Sequence, residues 1–146
     1  MSKSFVEFYS KNDISPVSQD IKDLNKHFQR RESLFRSLGL LPAFISGKSV
    51  LEFGPGSGHN TLYMASLKPE RYELVDGNLK GVQETRERLA IYSDTKVEVH
   101  LSLFEEFQTD TRFHLVWAEG CLPHNSEPLS LLDYISLFVA KGGGYV

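Results

Sequence analysis

The sequence predicts an α/β fold, a doubly wound parallel sheet, and three observations carry that expectation. A mostly apolar run, Ser49-Val50-Leu51-Glu52-Phe53, feeds directly into the loop Gly54-Pro55-Gly56-Ser57-Gly58. Short β-patterned runs then alternate with helical ones to the end of the chain, as parallel sheets with crossover helices require. A carboxylate, Asp76, ends the second of those runs roughly 20 residues past the glycine loop, the spacing at which a strand-end acid takes ribose hydroxyls in such sheets.

The elements follow in order. Residues 1–14 read as a short helix or arm with Phe5, Phe8 and Tyr9 as anchors. Ser15-Pro16 has the form of a helix start, and Val17, Ile21, Leu24, Phe28, Leu34, Phe35 and Leu38 continue at helical spacing to Gly39. Residues 1–46 are therefore expected as an N-terminal helical appendage, and 47–146 as the sheet domain. After the glycine loop, Asn60 to Leu67 is a helix whose amino end faces the loop, and Tyr72 to Asp76 is the second strand, closed by Gly77-Asn78. Leu79 to Tyr92 is amphipathic, with Val82, Leu89 and Tyr92 inward. Lys96 to Leu101 alternates as a third strand, and Arg112 to Ala118 is a fourth. A last helix is expected from Ser126-Glu127-Pro128 through Ala140, too apolar at Leu129, Leu132, Ile135, Leu137 and Val139 for a surface element, and stopped by Gly142-Gly143-Gly144. Tyr145-Val146 then looks like the start of a fifth strand. Strands normally run to about five or six residues, so the chain is expected to be the amino-terminal piece of a longer protein, with an exposed sheet edge open to pairing with a second copy.

Composition narrows the function classes. With 146 residues, 40% hydrophobic and 12% aromatic, the chain suits one domain with one core. A formal charge of -3 and a pI near 5.9 give no global attraction to nucleic acid or anionic membranes. The basic stretch from Lys26 to Arg36, with Arg30, Arg31 and Arg36, reads as the solvated face of a helix rather than a phosphate or RNA contact. Cys121 is the single cysteine, which rules out an intrachain disulfide or a multi-cysteine zinc site. The amino terminus lacks the apolar core of a secretory signal, and no apolar run approaches the roughly 20 residues that cross a bilayer. A soluble cytoplasmic protein is the expectation, and no His, Cys or carboxylate set has metal-ligand spacing along the sequence.

Glu52 interrupts the apolar run just before the loop, where a carboxylate can face a cationic ligand group. Taken together, Glu52-Phe53-Gly54-Pro55-Gly56-Ser57-Gly58 followed by Val75-Asp76 resembles the first two motifs of the class I S-adenosylmethionine-dependent methyltransferases, over about residues 48–146. The resemblance implies a Rossmann-like sheet of strand order 3-2-1-4-5 and S-adenosylmethionine as cofactor, with S-adenosylhomocysteine as product. It further implies that Gly54, Pro55, Gly56 and Gly58 let the backbone approach the cofactor, that Glu52 lies near its ammonium group, that Asp76 holds the ribose, and that Gly77, Asn78 and Leu79 border the adenine. Where the family often has an acid against the adenine amino group, this chain has Ser102-Leu103. The segment from Phe113 to His124 resembles the fourth-strand motif and brings Glu119 and Gly120 near the sulfonium.

Direct displacement on a methyl group needs alignment more than covalent catalysis, so one deprotonating group suffices. Glu119 and His124 are the candidates, His124 having a neutral-range imidazole, although it also reads as a surface histidine before a helix. His59 could touch the cofactor carboxylate or the acceptor, or simply start a helix. Phe5, Phe8 and Tyr9 could close as a lid or pack on the sheet. Cys121 has no paired base that would make it a nucleophile. A nicotinamide-dinucleotide domain uses similar parts, but its Gly-x-Gly-x-x-Gly spacing fails at His59 and at Thr61. A non-catalytic methyltransferase-like binding module remains a second alternative. The acidic balance favours a small-molecule acceptor over nucleic acid.

Overall fold

The computed structural model of the chain describes residues 3–12 and 22–146. Five strands form one sheet in the order β3-β2-β1-β4-β5: β1 Ser49–Phe53, β2 Arg71–Asp76, β3 Lys96–Leu101, β4 Phe113–Ala118 and β5 Val139–Tyr145. Every neighbouring pair is parallel. The direction of winding reverses between β1 and β4, which opens a crevice at their carboxyl ends. Among the described residues, five α-helices accompany the sheet: α1 Lys3–Lys11, α2 Leu24–Ser37, α3 Thr61–Ser66, α4 Leu79–Leu89 and α5 Pro128–Ser136. Among the described residues no helix is long and apolar enough to cross a membrane.

Period-two alternation divides the core. Val50, Tyr72, Leu74, Val99, Leu115 and Trp117 face one side, where they meet Phe35 of α2, Leu62 and Met64 of α3, and Val82 and Leu89 of α4. Leu51, Phe53, Val75 and Val116 face the other and pack on Phe104, Phe107, Leu131, Ile135 and Phe138. Glu52 shares the first face with Val50, so its carboxyl points toward the side covered by α2. Fully burying one such apolar side chain stabilises by about 1.5–3 kcal/mol, enough for a dozen of them to hold the sheet in register.

Several elements differ from expectation. The Ser15-Pro16 helix start lies outside the described residues, and α2 begins at Leu24, with the Asp23 side chain accepting from Lys26 N at 3.0 Å as its N-cap. The last helix is shorter than its apolar run and ends at Ser136, and the three glycines do not stop it. They belong to β5, which begins at Val139. The reason is local: pairing of β4 with β5 shifts register between Phe113 and Leu115, and a Cβ on Gly143 would lie 2.6 Å from the His114 carbonyl oxygen. Glycine in a strand marks such a bulge and close approach. Leu129 and Leu137 are 76% and 62% exposed, because α5 buries only the Leu131–Ile135 side. Phe8 is likewise exposed, and Val6 of α1 packs inward, while the side chains of Phe5 and Tyr9 lie outside what the structure describes.

Candidate functional site

The crevice at the carboxyl ends of β1, β2 and β4 gathers most of the polar side chains singled out from the sequence. β1 ends at Phe53 and the chain turns through Gly54 to Gly58 into α3. Gly54 N donates to the Val75 carbonyl at 2.9 Å, which ties the loop to the end of β2. At Gly58, with φ of +81°, an added Cβ would lie 2.9 Å from Thr85 Cα of α4, so the loop has no room for a side chain there. Thr85 Oγ1 donates to the Gly56 carbonyl at 3.2 Å and Arg88 Nε to the Ser57 carbonyl at 2.7 Å. The loop is thus braced from behind by α4.

Asp76 is fully buried beside this loop. Its Oδ2 accepts from Gly56 N at 3.1 Å and its Oδ1 from Asn78 N at 2.8 Å. Burial pushes its carboxyl up to about 6, and the backbone N–H groups of Asn78, Gly56 and Gly77 oppose the rise. The cap of α4 is Asn78, whose Oδ1 accepts from Gly81 N at 2.8 Å. With about four lone-pair sites and three backbone N–H groups on it, the Asp76 carboxylate keeps room for one further donor. Next to it, a Cβ on Gly77 would meet Val6 of α1 at 3.0 Å and Leu103 at 3.3 Å, so α1 lies over this end of the crevice. Ser102 Oγ donates to the Leu103 carbonyl at 2.8 Å, and Ser102 N continues the ladder onto the Asp76 carbonyl.

Glu52 is 4% exposed and accepts a hydrogen bond from the Tyr72 hydroxyl. Burial pushes its carboxyl up to about 8, with Glu119 adding to the rise while Tyr72 and Arg31 oppose it. Arg31 and Glu119 form a bidentate pair, Nη1 to Oε1 at 2.8 Å and Nη2 to Oε2 at 2.5 Å. The Arg31 guanidinium also sits 5.6 Å from the Phe35 ring centroid, and Phe35 in turn packs on Trp117 and Tyr63. The Nε of Arg31 is buried with no hydrogen-bond partner. The expectation of a solvated basic face fails at this arginine, while Lys26, Arg30 and Arg36 are exposed: His27, Arg31 and Phe35 form a buried i, i+4 stripe on α2. That spacing relative to Phe35 was the available signal. Tyr72 carried none, since an aromatic in a buried strand reads as core.

His59 is buried; its Nδ1 shares a 2.5 Å hydrogen bond with Ser57 Oγ, and His27 Nε2 donates to its carbonyl at 2.9 Å. Burial lowers the pKa of His59, with Arg88 adding to the shift. Cys121 is buried against Phe53 and its thiol is pushed up to about 12 by burial, which leaves it without thiolate character. Gly120 and His124 are exposed, His124 on a single 3-10 turn, Leu122–His124. Among the described residues, one group of potential metal ligands lies outside the crevice: the ligand atoms of Glu73, Glu98 and His100 lie within 4.8 Å of one another across β2 and β3. No sequence spacing announces it because its members are strand neighbours. Arg71 already pairs with Glu73, and Lys96 with Glu98 at 3.1 Å, so these carboxylates have internal counter-charges.

A family profile described as a methyltransferase domain matches residues 26–146. The chain belongs to this methyltransferase-domain family. Among solved structures, it is similar to an S-adenosylmethionine-dependent methyltransferase from Geobacter sulfurreducens in complex with S-adenosyl-L-homocysteine, at TM-score 0.68 and 14% identity, covering 94% of this chain and 52% of that one. Coclaurine N-methyltransferase bound to N-methylheliamine and S-adenosylhomocysteine gives TM-score 0.69 and 18% identity over 99% of this chain and 43% of that one. The N-methyltransferase NodS from Bradyrhizobium japonicum WM9 gives 0.66 and 18%, over 83% and 59%. At these identities the likeness is one of fold, and the chain spans about half the length of the first of these methyltransferases. No curated protein matches the sequence.

Proposed function

We propose that this methyltransferase-domain chain holds S-adenosylmethionine in the crevice between β1, β2 and α2 and serves methyl transfer to a small-molecule acceptor. The observation that carries the reading is the pair of buried carboxyl groups, Glu52 and Asp76, at the ends of neighbouring strands on either side of the glycine loop. A zwitterionic amino-acid end fits the residues present: Glu52 offers a carboxyl for its ammonium, and Arg31 offers an orphaned buried donor for its carboxylate. Asp76 retains acceptor capacity for ribose hydroxyls, and Gly77, Asn78, Ser102 and Leu103 border the adenine. The bound cofactor supplies an electrophilic methyl group on a sulfonium.

The protein's own part is alignment and exclusion of water. Glu52, Asp76 and the braced loop fix the donor, while Glu119 and His124 stand on the β4 side as candidates for accepting the acceptor's proton. His124 is exposed on its turn and reaches that role only on a substrate that bridges to it. Within this reading residues 1–46 act as a cap, residues 47–146 as the binding unit, the protein works in the cytoplasm, and copies associate through the exposed edge of β5. Turnover by these 146 residues alone is expected to be weak, because the chain spans half the length of the methyltransferases it resembles in fold.

Calorimetric titration of the chain with S-adenosylmethionine, S-adenosylhomocysteine and oxidised nicotinamide dinucleotide tests the cofactor assignment. The first two are expected to bind and the third to give no heat; dinucleotide binding alone would sink the reading. Robust transfer by these 146 residues to any of a panel of amines, phenols and carboxylates would overturn both the expected weak turnover and the alternative of a non-catalytic binding module.

A further inference from the structure

Arg31 and Glu119 come from elements far apart in sequence, and their geometry is unequal. The arginine side chain is 9% exposed and capped by Phe35, whereas that of Glu119 is 36% exposed. Both terminal nitrogens of the guanidinium are used by Glu119, and only the buried Nε is unpartnered. Arg31 is therefore the fixed half of the pair and Glu119 the half free to leave. The pair faces Glu52, whose carboxyl Glu119 pushes up and Arg31 pulls down, so the guanidinium and its partner both border the end of β1.

Resting on the cofactor reading above, we infer that the Arg31–Glu119 pair is a latch opened by the cofactor's own carboxylate, which takes Arg31 and leaves Glu119 free to face the acceptor. A planar guanidinium prefers a bidentate carboxylate, so the incoming group competes for the very geometry Glu119 occupies. The exchange conserves one arginine–carboxylate pair and converts Glu119 from a partner of α2 into an open carboxylate at the end of β4. Cofactor then binds before acceptor, and Glu119 meets an N–H or O–H of the acceptor only once the donor is in place. The cost of breaking the latch is carried by the cofactor, and linkage makes it visible as affinity: anything that opens the latch beforehand tightens cofactor binding by the same factor.

The test is calorimetry on the whole chain with two probes. S-adenosylhomocysteine carries the carboxylate; 5′-methylthioadenosine has the same adenine, ribose and thioether but no amino-acid end. Glu119→Gln keeps the shape and removes the competing charge. It is expected to tighten S-adenosylhomocysteine about fivefold or more, to leave methylthioadenosine unchanged, and to lose its effect in an Arg31→Met background. Arg31→Gln, which removes the charge and the fork but stays polar, supplies the same comparison should Arg31→Met fold poorly. Unchanged or weakened S-adenosylhomocysteine binding by Glu119→Gln, in a chain that still binds methylthioadenosine, overturns the latch and leaves the cofactor site standing. Failure of both probes on the unaltered chain overturns the cofactor reading and the latch with it.

Discussion

A carboxyl group that is 4% exposed and holds its proton to about pH 8 makes the fold itself sensitive to alkali. The folded pKa of Glu52 lies above the unfolded value near 4.5, so its neutral form contributes stability that is complete below that value and lost as pH rises through about 8. Glu52→Gln removes the titration while keeping an acceptor for Tyr72. Its melting temperature is expected to match the parent at pH 5 and exceed it by several degrees at pH 9; equal pH profiles would refute the assignment. At Asp76 the interest is the ligand. Asp76→Asn is expected to weaken S-adenosylhomocysteine by about tenfold, the loss of one charge-assisted hydrogen bond, and the parent's affinity should rise between pH 5 and 7 as the carboxyl ionises through about 6. The placement of Glu52 and Asp76 at strand ends beside the glycine loop was legible in the sequence, because each sits at a fixed offset from that loop. Arg31 was not, because its burial depends on how α2 lies across the sheet, a long-range fact that no local charge pattern encodes.

At the scale of elements, α4 and the glycine loop behave as one unit. A Cβ on Gly81 would lie 2.6 Å from the Gly56 carbonyl oxygen, and Thr85 and Arg88 hold the same loop from the next turn of the helix. Gly81→Ala therefore sets two effects against each other. Alanine in a helix gains about 1 kcal/mol over glycine, but here the backbone of the loop must shift to admit it. The expected outcome is a lower melting temperature together with weaker S-adenosylhomocysteine binding; a more stable variant with unchanged binding would show the loop to be independent of α4. The central strands and α4 were readable because their periodicity and their glycine or asparagine boundaries agree. The boundary between α5 and β5 was not, since an apolar run followed by three glycines reads locally as a helix and its stop, and only pairing with β4 makes it a strand.

Over the whole molecule, the two edges of the sheet are unlike. β3 carries Lys96, Glu98 and His100, charges of the kind that keep an edge from pairing. β5 has Lys141 alone among Val139 to Tyr145, and Gly142 to Gly144 leave its backbone unshielded, with Phe44 and Tyr145 more than half exposed nearby. Within residues 1–146 an edge of this kind beside exposed aromatics is a surface that a second copy, or further chain, can extend. Self-association in concentrated solution is therefore expected to run through β5 and not β3. Gly144→Lys tests this cleanly, because nothing lies within 4 Å of a Cβ there and its φ is outside the left-handed range, so the strand itself should tolerate the change. Sedimentation velocity across a concentration series should show association in the parent and a shift toward monomer in the variant. Equal association of the two would move the contact elsewhere, and a strictly monomeric parent would overturn the expected pairing through β5.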